Sequence, residues 1–213
     1  MSEVRPQTLG EEIANSISHG LGLIAAIVAT PFLLVAAVRS GSAWTVVGTG
    51  VFAAAMIVLY LSSTLYHATP HPRTKRIFQL FDHLAIFLLI AGTYTPFTLG
   101  IMRGAVGWTI FGLVWGLAAL GIVLKIVAGP KRAPVLSTML YLGMGWLVVL
   151  AVRPLLERMP LEGFWWLLAG GIAYSAGIVA FAAVKLRYSH FVWHLCVLAG
   201  TICHYVAVLR FAA

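Results

Sequence analysis

Three histidines sit at the ends of strongly apolar runs in distant parts of this chain, in Ser63-Thr-Leu-Tyr-His67 and His190-Phe-Val-Trp-His194, and a carboxylate, Asp82, opens another such run. Ionisable groups beside a bilayer core are costly and mark functional sites. On a helix, residues i and i+4 share a face about 6 Å apart along the axis, so His190 and His194 have the spacing of a metal chelate. Three neutral imidazoles plus one water form an open tetrahedral zinc site, which assigns Zn2+ to His67, His190 and His194. Asp82 would offset part of the ion's charge and orient or deprotonate the water, as a catalytic group. Ser63, one turn before His67, could hydrogen-bond the same water or a substrate oxygen. The metal would lower that water's pKa towards about 7.

The elements that position these groups must be membrane helices. Of the 213 residues, 61% are hydrophobic and 9% are charged, and the mean hydropathy is +0.97; soluble domains carry roughly a quarter charged residues. The chain therefore reads as an all-α integral membrane protein. A bilayer is crossed by about 20 apolar residues, and seven such spans are expected: Ile17–Val38, Ala43–Tyr66, Phe78–Leu99, Ala105–Val127, Pro134–Val152, Leu161–Val184 and His190–Phe211. They leave room only for short links, so residues 1–213 form a single seven-helix domain, with 1–16 as a cytoplasmic N-terminal segment. The leader carries Glu3, Glu11 and Glu12 against one Arg5, whereas secretory leaders are positive, so the first span is expected to be retained. Asn15, Ser16 and Ser18 are available to cap its start.

Nine basic residues fall on the side of the N-terminus (Arg5, Arg73, Lys75, Arg76, Lys125, Lys131, Arg132, Lys185, Arg187) and five on the other (Arg39, Arg103, Arg153, Arg158, Arg210). The positive-inside rule puts the N-terminus in the cytoplasm and the C-terminus outside. A net charge of +8 raises the question of nucleic acid. The basic residues form no continuous stripe, however; they orient helices and touch anionic headgroups, so membrane lipids are the expected partners and nucleic acid is not. Cys196 and Cys203 both lie in the last span and read as small core residues.

Helix breaks are expected at Ala68-Thr-Pro-His-Pro-Arg-Thr-Lys-Arg76 and at Ala128-Gly-Pro-Lys-Arg-Ala-Pro134. Gly112, Gly116 and Gly121 in the fourth span and Gly170, Gly171 and Gly177 in the sixth are expected at close helix contacts. No internal repeat is visible. With seven spans, the end of span two and the starts of spans three and seven lie at one depth, near the inner leaflet, which brings His67, Asp82, His190 and His194 together. Thr201 and His204 continue the face of His190 and His194, and Tyr60 shares that of Ser63 and His67. Lone histidines in spans, here His19 and His204, read as hydrogen-bonded packing residues; His71 reads as solvated and His83 as meeting headgroups.

Glu12-Ile-Ala-Asn-Ser-Ile-Ser-His-Gly20, Ser62-Ser-Thr-Leu-Tyr-His67, Asp82-His-Leu-Ala-Ile-Phe-Leu-Leu-Ile-Ala-Gly-Thr-Tyr-Thr-Pro96 and His190-Phe-Val-Trp-His194 through His204-Tyr205 resemble, in this order, the hemolysin III family within the progestin and adiponectin receptor (PAQR) superfamily. The resemblance spans nearly the whole chain. It implies a seven-helix bundle with a cytoplasmic N-terminus and zinc near the inner leaflet. By matched position, His67, His190 and His194 look like the zinc ligands, and Asp82 and Ser63 like the residues around the zinc-bound water. The receptor branch is linked to lipid-amide hydrolysis of the ceramidase type, and the bacterial branch to hemolysis and membrane homeostasis. The soluble N-terminal extension of the receptors is not matched, and sensing by such a domain is not expected.

The leading reading is thus a zinc-dependent hydrolase acting on a lipid amide or ester. A non-catalytic lipid sensor, its zinc fastening spans two, three and seven, is the alternative. Pore formation lacks support, because no span shows a long charged face. Haem ligation by paired histidines is weaker still, and no Gly-x-Ser-x-Gly elbow or other independent hydrolase motif is present.

Overall fold

A computed structural model of the chain describes residues 5–130 and 134–213; Glu3, Lys131 and Arg132 of the charge reading lie outside the described residues. The described residues form α1 (Leu9–Arg39), α2 (Ala43–Ala68), α3 (Pro72–Pro96), α4 (Ala105–Ala128), α5 (Pro134–Gly145), α6 (Val152–Arg158), α7 (Leu161–Ala182) and α8 (Ser189–Phe211), with no strand among them. Among the described residues, seven segments are long and apolar enough to cross a membrane, the fifth running from α5 through α6 as Pro134–Arg158. Large side chains such as Ile24, Val28 and Phe32 are exposed, as expected where lipid replaces water as solvent.

α1 begins earlier than the hydropathy suggests. Thr8 is its N-cap: the hydroxyl accepts the Glu11 N–H at 3.4 Å while the Glu11 carboxylate accepts the Thr8 N–H at 2.8 Å, a capping box. Asn15 and Ser18 are therefore not caps. They sit inside the helix on a buried stripe with Glu11, His19, Gly22 and Ala26. α3 starts with Pro72 in its first turn, where a missing N–H costs nothing, so only residues 69–71 separate it from α2. It ends in a π-helical turn, Phe97–Ile101, just after Pro96.

The fifth span is interrupted by a short 3-10 segment, Leu147–Ala151. Backbone groups freed within a membrane need partners, and Tyr94 of α3 supplies them, its hydroxyl donating to Gly145 O at 2.7 Å and accepting the Val148 N–H at 2.9 Å.

α1 packs between α2 and α8, α3 between α2 and α4, and α7 against α8, while α5 reaches α3, α4 and, sparsely, α7. Glycines set the close crossings. A Cβ on Gly48 would come within 2.8 Å of Pro96 Cα, one on Gly92 within 2.7 Å of Ala55 Cβ, and one on Gly121 within 2.2 Å of the Phe87 ring. Gly112 and Gly116 differ from expectation: nothing lies within 4 Å of a Cβ there. They fall on the part of α4 that no neighbour covers, so small size at these positions serves no helix contact.

Candidate metal centre

One ring nitrogen from each of His67, His190 and His194 lies within 4.8 Å of the others. His67 ends α2, and the other two open α8. His67 and His194 are buried and His190 is half-buried. The His67 ring centroid is 5.1 Å from that of His190 and 4.9 Å from that of His194. Asp82 and Ser63 are also buried.

Hydrogen bonds select the nitrogen that His67 and His194 present. Glu12 Oε2 is 2.8 Å from His67 Nδ1, and a carboxylate can only accept, so Nδ1 carries the hydrogen and Nε2 the lone pair. Around His194 Nδ1 stand the Asn15 carbonyl at 3.2 Å and the Ser18 hydroxyl at 3.1 Å. Ser18 already donates to Asn15 O at 2.9 Å, so both neighbours are acceptors and His194 Nε2 again keeps its lone pair. Nε2 of His67 and Nε2 of His190 are buried without a hydrogen-bond partner among the described residues.

These are the marks of a metal centre: imidazole lone pairs converging, and a carboxylate and a carbonyl fixing the rings from behind. Imidazole donors suit zinc, copper, iron and nickel, and three of them leave a tetrahedral ion one open position. A tetrahedral ion with bonds of about 2.0–2.1 Å needs its donors about 3.4 Å apart, and the three nitrogens here lie within 4.8 Å of one another. The three histidines could therefore hold a metal ion.

The supports behind the ligands come largely from α1. Glu12 also pairs with Lys75 at 3.0 Å. Glu11 accepts the backbone N–H of Tyr188 at 2.8 Å, tying the α7–α8 link, where Tyr188 has φ 58°, to the start of α1. Arg5 caps this arrangement with a hydrogen bond of 2.9 Å to Glu11, and the Glu11 carboxylate holds the Arg5 guanidinium pKa above its usual value. His19 stacks on His194 with centroids 3.6 Å apart, and its Nδ1 is 2.7 Å from Ser63 Oγ. It is a hydrogen-bonded packing residue, as the sequence suggests, but its packing partner is a ring of the three-histidine cluster. The sequence alone does not single out Glu12, Asn15 and Ser18 as supports of the histidine cluster. Their spacing with Glu11 and His19 at three, four and seven residues is that of one buried helix face, the signal that could have found them.

Asp82 and Ser63 do not join the three ligand nitrogens. With His19 and His194 they line one end of a cavity of about 110 Å³ that reaches Tyr174 and His204 and is walled by α1, α2, α3, α5, α7 and α8. Most of the wall between those ends is apolar, including Leu59, Ile86, Leu89, Ile90 and Val197. His71 is exposed, as expected. His83 is half-buried, with Nδ1 enclosed, and its backbone carbonyl accepts from Tyr141 at 3.0 Å. Lys125 also turns inward, its ammonium donating to Pro130 O at 3.1 Å with 4% of the residue exposed.

The chain is 46% identical over 202 residues to the Hemolysin-3 homolog of Bacillus subtilis (strain 168), covering 95% of this chain and 94% of that protein. It is 46% identical over 203 residues to Hemolysin-3 of Bacillus cereus, covering 95% and 92%. It is 26% identical over 214 residues to the Monocyte to macrophage differentiation factor of Homo sapiens, covering 96% and 85%. With the Haemolysin-III related family model matching residues 7–205, and seven apolar helices of spanning length, the chain belongs to the Haemolysin-III related family of multi-pass membrane proteins.

Proposed function

We propose that the protein is a zinc-dependent hydrolase of lipid amides or esters that contributes to membrane homeostasis, with its N-terminus in the cytoplasm of the bacterial inner membrane. The observation that carries this reading is the juxtaposition of a buried three-histidine cluster, a buried carboxylate and a serine at the mouth of one largely apolar cavity. A bound zinc ion would supply Lewis acidity at that mouth. Asp82 accepts a proton from the attacking water and later returns it to the leaving group. Ser63, held by His19, donates a hydrogen bond to the substrate carbonyl oxygen. The apolar wall takes the acyl chain and excludes water.

Support for the orientation comes from Arg73, Lys75, Arg76, Lys185 and Arg187, all on the N-terminal side of the bundle. The test is hydrolysis of long-chain amides and esters by purified wild type and Asp82→Asn at equal zinc content. The hydrolase reading expects turnover in the wild type and its loss in the variant. Equal rates in both would remove Asp82 from the mechanism.

A second reading, a lipid sensor with structural zinc, is favoured by one observation: α2 and α8 scarcely pack on each other, yet supply all three histidines. An ion there would staple two helices that α1 otherwise separates. Absence of hydrolysis in zinc-loaded wild type would select this reading.

A further inference from the structure

Beyond the metal centre, the cavity ends at two polar rings that the chemistry above does not use. His204 Nε2 is 3.2 Å from the Leu167 carbonyl, an acceptor, so Nε2 carries the hydrogen and Nδ1 the lone pair. That Nδ1 is buried and has no hydrogen-bond partner among the described residues. Beside it, with ring centroids 5.4 Å apart, lies Tyr174. Its hydroxyl is 2.8 Å from Thr201 Oγ1. Thr201 already donates to Val197 O at 2.9 Å, so Tyr174 must donate to Thr201 and retains only acceptor capacity. Thr93, on the same cavity wall, likewise spends its hydrogen on Leu89 O at 2.7 Å.

The hydroxyl hydrogens of Tyr174, Thr201 and Thr93 are thus directed into the helices, and Tyr174 and His204 offer the cavity lone pairs. The two rings are seated by glycines on opposite helices. A Cβ on Gly170 would stand 2.4 Å from the His204 ring, and one on Gly200 would stand 2.7 Å from the Tyr174 ring. Any larger residue at either position would displace a ring.

We propose that His204 and Tyr174 form a subsite that accepts a hydrogen bond from a hydroxyl borne on the chain of a lipid lying in the cavity. His204 follows His194 by ten residues, about 15 Å along α8, so the hydroxyl recognised lies mid-chain, well away from the head group at the metal centre. An all-acceptor site rejects carbonyl and carboxylate oxygens at that depth and leaves its own lone pairs unsatisfied against a plain alkyl chain. This inference rests on the reading of the cavity as an acyl-chain chamber.

Binding of octadecanoic acid and 12-hydroxyoctadecanoic acid to the purified full-length protein, compared by native mass spectrometry in detergent, tests it. The hydroxylated acid is expected to bind about 5-fold more tightly, the scale of one net neutral hydrogen bond. His204→Leu should abolish the preference, and Tyr174→Phe should reduce it. His204→Gln, which restores an acceptor, should retain part of it. Equal binding of the two acids by the wild type would overturn the subsite while leaving the acyl-chain reading intact. Failure of both acids to bind would overturn the acyl-chain reading and the subsite with it. The wild-type comparison decides the matter even if a variant does not fold.

Discussion

Glu12 and His67 are joined by a contact of 2.8 Å between Oε2 and Nδ1 across 55 residues of sequence. The carboxylate fixes the ring's tautomer and orientation and raises its basicity as a ligand. Lys75 holds Glu12 from the other side at 3.0 Å.

Replacing Glu12 by Gln keeps the size of the side chain but removes its charge, which should weaken metal binding by about 10- to 100-fold with little loss of helix content. Competition with a chelator reads the affinity. An unchanged affinity would show that the Glu12 contact is only structural.

Purified protein should carry about one zinc per chain, because three imidazoles complete a tetrahedral site with one further ligand. Elemental analysis of wild type and His194→Ala measures this. Full zinc in a folded His194→Ala protein would refute the ligand set.

Metal removal should lower the melting temperature, since an ion bound by the folded state alone stabilises it by mass action, and here it would join α2 to α8. Thermal unfolding in detergent before and after chelation provides the reading. Identical midpoints would argue against an ion at this place.

Gly121→Ala should destabilise the bundle by about 1–3 kcal/mol through overpacking against Phe87. Gly116→Ala, with open space around its Cβ, should be neutral or stabilise α4 by up to about 1 kcal/mol through helix propensity. The pair serves as its own control, and similar melting temperatures for both variants would contradict the α3–α4 packing.

Reporter fusions should place the N-terminus in the cytoplasm and the C-terminus outside. Both termini on one side would exclude an odd number of crossings.

The spans were legible because lipid demands about 20 apolar residues per crossing, and the three histidines because polar groups in such runs are conspicuous. The early start of α1 was not, although Thr8 and Glu11 carry the spacing of a capping box; the segment from Leu9 is too polar for a hydropathy criterion to include. For the same reason Glu12 reads as part of a polar leader, and Asn15 and Ser18 as caps, instead of as one buried face of α1. The break in the fifth span also escaped, since the hydroxyl that satisfies its freed backbone groups belongs to Tyr94, a residue of another helix. Glycine content alone could not tell Gly121, which meets Phe87, from Gly116, which meets nothing.

The hydrogen bond between Asn15 O and His194 spans 179 residues, so the first helix to be synthesised waits for the last before the centre can close. A chain halted before α8 would have six apolar segments in the membrane and only His67 of the three ligands. An ion held by all three histidines could therefore be captured only after α8 is in place, so metal loading would report that the last helix has been inserted.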